Sequence, residues 1–479
     1  MSTSEVLIPR SNEVFEIELR GFDHIPEAER NMTLRQVDYL WVGTNANLFT
    51  FALGALAVTL GLSLWMALAA CVVGNLAFVY PAYGSIVAAR AGLPVATLSR
   101  AAFGLRGNLP NALLSWVASL AFEVINTIFG VDALLALFEL LGWSHSGAPG
   151  KLVAVSIQLV LCGGIAVLGH ATMVWFQRIF SAAVGGTLLV VIAFTVGRVD
   201  WAEAAVSHAH TSAGTTAAVF LSAAAVIASN PLSYLFNGPD WVRYLPSATP
   251  AGSIFRHVFF ASSLASVVVS MMGAVCASLG DMTDPVAGLK PFLPPWLFLF
   301  YIVAVVGGSL ASNVATYYSS GLCLQAVGLK LHRYAATLAD VMVSTGIALY
   351  ILFVQDFSTA LNNFIALLVM WVGPFGGVWI CDGYLRRGQY DVRSIHRGDG
   401  GTGRYWGWRG FSTSGYCALG AGMLAAALTM KSPNYDGPLV AAFGGADLSW
   451  VVGFPVSALS YAFLTALADS RLRRGDQPA

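Results

Sequence analysis

The chain has 479 residues, of which 57% are hydrophobic and 10% charged, against about 25% charged in an average soluble domain. Lys plus Arg and Asp plus Glu balance at 25 each, so the net charge indicates no partner. So few charges cannot cover the surface of a soluble protein this long, which excludes a soluble enzyme, a nucleic-acid binder and a disordered scaffold.

Residues 1–38 read as a polar, acidic tail without the apolar stretch and cleavage site of a signal peptide. From residue 39 apolar runs recur, and those at 152–177, 179–197 and 257–280 carry no formal charge. A helix needs roughly 20 residues to cross a ~30 Å hydrocarbon core. The pattern predicts an all-α integral membrane protein of twelve spans, at 39–62, 65–89, 111–137, 151–169, 175–197, 215–236, 256–279, 294–321, 335–354, 360–381, 411–430 and 448–468. With the N-terminus in the cytoplasm, 21 of the 25 basic residues fall in cytoplasmic segments. Only Lys151, Arg198, Lys290 and Lys431 fall outside. Translocating positive charge is disfavoured, so both termini are expected inside. The Arg-rich loop 383–410 reads as an anchor near anionic lipid. The six cysteines stand singly and read as small core residues, and His208 and His210 lack the further ligands of a metal site.

Two spans are interrupted. The first contains Gly43, Thr44, Asn45, Ala46 and Asn47, and the sixth contains Asn230 and Pro231, with Asn237, Gly238 and Pro239 after it. Proline breaks the hydrogen-bond ladder, and freed backbone groups persist in a membrane only where protein or a wet cavity satisfies them. A harmless kink is the plainer reading of either span alone. Their offset of five argues for more. It suits two five-helix repeats in inverted topology, 39–197 and 198–382, with a substrate site at their interface. Helices 11 and 12 (411–468) and a tail (469–479) complete the expected organisation.

Four motifs carry a resemblance. They are the first-span run from Trp41 to Asn47 with Thr50 and Gly54, and the stretch from Arg90 to Pro94 continuing from Ser99 to Asn108. The others are Pro239 to Pro246, with Asp240, Arg243 and Tyr244, and Tyr318 to Gly328. Together they resemble the nucleobase:cation symporter-1 family of purine–cytosine permeases. The resemblance implies a leucine-transporter-type fold with broken helices 1 and 6. It also implies alternating access driven by Na⁺ or H⁺, and a nucleobase, hydantoin, allantoin or related heterocycle as substrate.

A flat heterocycle needs an aromatic face to stack on and amides to match its polar edge. Phe122 and Asn126 lie four apart on span 3, hence on one side of it, and align with the family's aromatic and amide. The expected substrate set adds Asn45, Asn47, Glu123, Asn230, Pro231, Asn313 and Tyr317. The family's cation site maps onto carbonyls and a hydroxyl at Gly43, Ala46, Gly308, Ala311 and Ser312. Ser312 supplies a hydroxyl, but Ala311 stands where the family has a second, so Na⁺ is weakened and H⁺ stays open. Small-residue packing is the plainer reading of the Gly308 and Ala311 side chains. Glu123, mid-span, is expected to face the bundle interior, where it binds substrate, carries a coupling proton or locks helices as a neutral acid. Asp132 lies two turns further out on span 3, and Asp340 of span 9 is closer to the cytoplasmic end and near enough to reach water. Asp240 and Arg243 are three apart and are expected to pair as an inner gate, or merely at the interface.

No HExxH or paired catalytic acids occur, so an enzyme is not expected, nor a cofactor beyond the coupling ion. The expectation is a monomeric transporter in the cell membrane whose partners are a small heterocycle, an ion and lipid. The alternative is a passive facilitator or channel for small polar solutes.

Overall fold

The computed structural model describes residues 12–143, 147–202, 204, 213–354, 357–396, 403–432 and 435–473. His208, His210, Arg10, Arg397 and Arg474 lie outside the described residues. Over the first expected span the helix comes in two pieces, α1 (Leu34–Asn45) and α2 (Leu48–Thr59), bent by 54°. The second span is α3 (Leu64–Asn75) and α4 (Val79–Ala91), joined by a 3₁₀ turn, and the short α5 (Val95–Leu98) and α6 (Arg100–Phe103) fold the loop after it. Then come α7 (Asn108–Leu140), α8 (Ala148–Leu168), α9 (His170–Val196), α10 (Ala213–Ser233) and α11 (Ala251–Ala277). The one-turn α12 (Pro285–Leu289) precedes α13 (Pro295–Ala326), α14 (Arg333–Val354) and α15 (Phe357–Leu385). The short α16 (Val392–His396), α17 (Thr413–Thr429) and α18 (Ser449–Arg473) end the chain. A two-stranded antiparallel ribbon pairs Lys431–Ser432 with Tyr435–Asp436 between α17 and α18.

Helices lie over every expected segment. Among the described residues, nine helical segments are long and apolar enough to cross a membrane, or ten if the bent pair is one span. α17, with 17 residues, falls short of that length. α7, α10 and α13 are the most enclosed, with 72%, 72% and 78% of their apolar windows inside the protein. These three helices form the middle of the bundle.

The interruption at span 6 differs from the sequence expectation. α10 continues through Pro231 to Ser233 and only then tightens into 3₁₀ turns over Tyr234–Phe236 and Gly238–Val242. The break lies about one turn later than Asn230–Pro231. Proline takes one donor from the ladder, and serine hydroxyls add local bonds: Ser229 Oγ donates to the Val226 carbonyl at 2.6 Å and Ser233 Oγ to the Asn230 carbonyl at 2.7 Å.

The N-terminal segment is more than a solvated tail. Residues 12–32 run across one end of the bundle and bury Glu18, Ile25, Arg30 and Met32. The Glu18 carboxylate accepts from Tyr244 Oη at 2.6 Å, from the His170 amide at 2.8 Å and from Arg243 Nη2 at 3.2 Å. Arg333 Nε lies 3.6 Å from its other oxygen, and Glu18 N donates to the Leu168 carbonyl at 2.9 Å. One carboxylate therefore ties the segment to the starts of α9 and α14 and to the loop before α11. Gly169, at φ +108°, makes the crossing possible, because a side chain there would collide with Glu18 and Arg333. Burial alone would raise the Glu18 carboxyl, but Arg333, Arg243 and His170 outweigh it and hold it below the usual value.

A buried charge stripped of its partner costs about 3–5 kcal/mol. Glu18→Ala leaves Arg243 and Arg333 unneutralised and should lower the thermal unfolding midpoint in detergent, with Glu18→Gln intermediate. Because the folded Glu18 value is depressed, its contribution is complete above the ordinary glutamate value of ~4.3 and is lost as pH falls through the lower folded value. Wild type should therefore lose its advantage over Glu18→Ala only in acid. Equal midpoints at neutral pH would remove Glu18 from this role.

Candidate functional site

The gap between α1 and α2 is one residue pair, Ala46–Asn47. Asn47 caps the second piece, its Oδ1 accepting the Thr50 amide at 2.9 Å while its Nδ2 donates to the Thr44 carbonyl at 2.6 Å. Tyr234, just past α10, donates to the same Thr44 carbonyl at 3.2 Å. The two interrupted helices thus meet directly. Asn230 Nδ2 reaches Asn45 Oδ1 at 3.2 Å and Ser266 Oγ at 3.1 Å. Asn45 Nδ2 bonds back to the Trp41 carbonyl at 2.8 Å.

Span 3 and span 8 close the other side. The Phe122 ring packs edge-on against Phe49 of α2, centroids 5.6 Å apart. Asn126 Nδ2 donates to the Phe122 carbonyl at 3.0 Å and to Ser312 Oγ at 3.1 Å. Ser309 Oγ bonds the Asn126 carbonyl. Phe122, Asn126, Asn45, Asn230 and Ser312 are all buried. A wall of aromatic rings lies beside them toward the N-terminal segment. Trp41 meets Tyr234, Trp241 and Phe78 with centroids 5.3, 5.0 and 6.2 Å apart.

Three expected substrate residues point elsewhere. Asn313 Nδ2 donates to Thr127 Oγ1 at 2.9 Å and to the Glu123 carbonyl at 3.2 Å, tying α13 to α7. Tyr317 Oη pairs with Ser344 Oγ of α14 at 3.0 Å. Glu123 is fully buried with neither carboxyl oxygen hydrogen-bonded, and its neighbours are Asp340 and the serines of α13 and α14. Pro231 shapes α10 and has no donor to offer.

At the expected cation position, Gly308 lets the Ala46 carbonyl come so close that a side chain there would collide with it. The Ala311 carbonyl already accepts from Gln177 Nε2 of α9 at 2.7 Å. Gly43 faces the same amide, whose Oε1 is buried without a partner. The Ser312 hydroxyl is held by Asn126. Gln177 was missed in the sequence reading, although a glutamine three residues into an apolar span is a signal. Glu18 was missed as well, and one acid in a polar tail gives none.

The expected Asp240–Arg243 pair is not formed. Arg243 pairs with Glu18, donates from Nη2 to Tyr318 Oη at 2.7 Å and from Nη1 to the Gly21 carbonyl at 2.7 Å. Asp240 instead accepts the Val95 amide at 2.7 Å, joining two of the motif stretches. The 3₁₀ geometry of 238–242 lets the two side chains diverge. Burial pushes the Asp240 carboxyl up to about 7, against the pull of the Val95 amide and Arg243.

A family model described as "Permease for cytosine/purines, uracil, thiamine, allantoin" matches residues 24–453. A Bacillus subtilis (strain 168) chain that carries a purine–cytosine permease name is 25% identical over 464 residues, 93% of this chain and 95% of that one. Among solved structures, Mhp1, a nucleobase-cation-symport-1 family transporter in a closed conformation with bromovinylhydantoin bound, aligns at TM-score 0.76. It is 18% identical over 94% of this chain and 96% of that one. The inward-facing conformation of Mhp1 aligns at 0.69, with 18% identity over 97% of this chain and all of that one. The fold is that of these transporters, and the chain belongs to the family of permeases for cytosine/purines, uracil, thiamine and allantoin.

Proposed function

We propose that the protein is a secondary active transporter that imports a nucleobase-like heterocycle by cation symport through alternating access. The observation that carries this reading is the direct contact of the two interrupted helices, Asn230 Nδ2 to Asn45 Oδ1 at 3.2 Å, beside Phe122 and Asn126. In the proposed topology twelve spans cross the membrane and both termini are cytoplasmic. The repeats 39–197 and 198–382 are related by inversion, and the monomer is the working unit. Asn45, Asn126 and Asn230 are neutral amides, each able to present a donor beside an acceptor. When a heterocycle enters, Asn45 and Asn230 exchange the bond between them, and Asn126 its bond to Ser312, for bonds to its edge. Phe122 and Phe49 supply its apolar faces. The aromatic wall around Trp41 and the Glu18 cluster would seal the route to the cytoplasm, and the better alignment with a closed than with an inward-facing transporter supports a sealed inner side. Arg243 belongs to that seal through Glu18, and Asp240 through Val95.

The coupling ion in this reading is H⁺. Hard cations need several free oxygens at once. Here the Ala311 carbonyl is engaged by Gln177 and the Ser312 hydroxyl by Asn126, and the idle side-chain oxygen facing Gly43 is Gln177 Oε1, fewer free oxygens than such an ion takes.

Replacing Na⁺ by choline at fixed pH should leave uptake into proteoliposomes unchanged, whereas acidifying the outside should raise it. Loss of uptake in choline would return the ion site to Ala46 and Ser312. Asn126→Ala should leave substrate groups unpaired, a loss of about 1–3 kcal/mol, or roughly ten- to a hundred-fold in affinity. Phe122→Ala should cost a comparable amount, and Phe122→Trp should shift preference toward larger rings if it fits. Kd values for cytosine, uracil, hypoxanthine, allantoin and hydantoin, measured on equal amounts of purified protein, check this. Wild-type affinity in Asn126→Ala for every compound would misplace the site.

A further inference from the structure

About a quarter turn round α7 from Phe122 lies a second polar centre. Glu123 and Asp340 are both fully buried, from α7 and α14. Asp340 Oδ1 accepts Trp116 Nε1 at 2.7 Å, while its Oδ2 and both Glu123 oxygens have no hydrogen-bond partner. Ser320 of α13, also buried and without a partner, faces both carboxyls, and Ser344 of α14 flanks Glu123. The other titratable neighbours are Cys162 from α8 and Tyr317 and Cys323 from α13. No Lys, Arg or His pairs with either carboxyl among the described residues. Two carboxylates so placed cannot both ionise, because each lacks hydration and repels the other. The pair therefore holds at least one proton, as paired acids sharing a site do.

Three carboxyl oxygens and the Ser320 hydroxyl face one another here without a closed hydrogen bond, an arrangement that a gained or lost proton would reorganise. The pair also touches the machinery that holds the substrate residues. Asn126 is three residues from Glu123 on the same helix, and Asn313 grips the Glu123 carbonyl. Tyr317 and Ser344 bridge α13 to α14. Thr337, one turn from Asp340 toward the start of α14, has an idle buried hydroxyl that continues the polar line.

We propose that the Glu123–Asp340 pair, with Ser320, is the binding site of the coupling proton. The proton arrives from water, forms an O–H bond on one carboxylate oxygen, stays through the closed state and leaves to water on the other side. No bond to the heterocycle forms or breaks. Binding and release shift α7 against α13 and so change how Asn126 is presented. This rests on the transporter reading above.

The experiment uses the full chain in liposomes, with radiolabelled cytosine, or with whichever of uracil, hypoxanthine, allantoin and hydantoin the wild type accumulates. Glu123→Gln and Asp340→Asn imitate the protonated pair. Uptake driven by an inward proton gradient should fall to its level without a gradient, and the loss should fall on that mode rather than on substrate exchange at equal pH. In parallel, infrared spectra should show a protonated carboxyl band in wild type that Glu123→Gln removes and that titrates away as pH rises. Gradient-driven uptake surviving in both variants overturns the proposal, as does a wild-type band that is absent or fixed across the pH range. If neither variant folds, the wild-type titration alone decides. If wild type accumulates no heterocycle, the transporter reading fails, and the pair is judged by its infrared titration.

Discussion

Hydrocarbon offers no hydrogen bonds, so every polar group freed inside the bundle must find its partner in the protein. The gap at Ala46–Asn47 exposes backbone groups at mid-chain of a span, and the surroundings are arranged to receive them. Asn47 turns both ends of its amide back on the gap, and Tyr234 shares the Thr44 carbonyl. Gly308 gives the Ala46 carbonyl room. A break maintained in this way suits the proposed site, because the same groups that satisfy the backbone can release it to a ligand of matching polarity.

The constraint acts in the same way at the end of the bundle. Arg243 and Arg333 are fully buried, which only a shared counter-charge makes tolerable. Glu18 supplies it from more than 200 residues away, and that one contact fixes the N-terminal segment over the starts of several helices. If the seal opens during transport, both guanidinium groups must be solvated together with Glu18. Opening is then a concerted event rather than a fraying of the tail.

These cases show what the sequence can and cannot carry. Span positions were legible because hydropathy is local. The break at Asn45–Asn47 was legible because Thr44, Asn45 and Asn47 crowd polar groups into an otherwise apolar helix. The family could be named from four short motifs. The sixth-span break was placed a turn early, since proline was read as a stop, whereas Ser229 and Ser233 hold the backbone around it. The pairing of Asp240 with Arg243 failed for a different reason. Spacing shows which side chains are near in sequence but not which competitor is nearer in space, and Glu18, Tyr318 and Val95 won. Gln177 was passed over, and Asn313 was read as a substrate group without its bond to Thr127, because their partners come from other helices. Phe122 and Asn126 were legible as neighbours on one face, yet only the fold shows Phe49 and Ser312 across from them.

In the symporter proposed above, two chemistries would have to be linked. The groups at the break are amides, hydroxyls and rings, none of which changes charge near neutral pH, so the substrate pocket can hold an uncharged heterocycle without a counter-ion. The titrating pair begins at Glu123, roughly a quarter turn round α7 from Phe122, and lies against α13 and α14. Coupling requires that each ligand alter the other's binding free energy by the same amount, and that needs no contact between them, only an element whose position both bias. Residues 122–126 of α7 meet that condition. Glu123 looks into the α13–α14 interface, while Phe122 and Asn126 look into the break. A shift of this segment by a fraction of a turn therefore changes both environments at once. Carrying Glu123 and Asn126 within one turn of a rigid helix, the carboxyl toward α13 and α14 and the amide bonded to Ser312, would make each proposed site sensitive to the other.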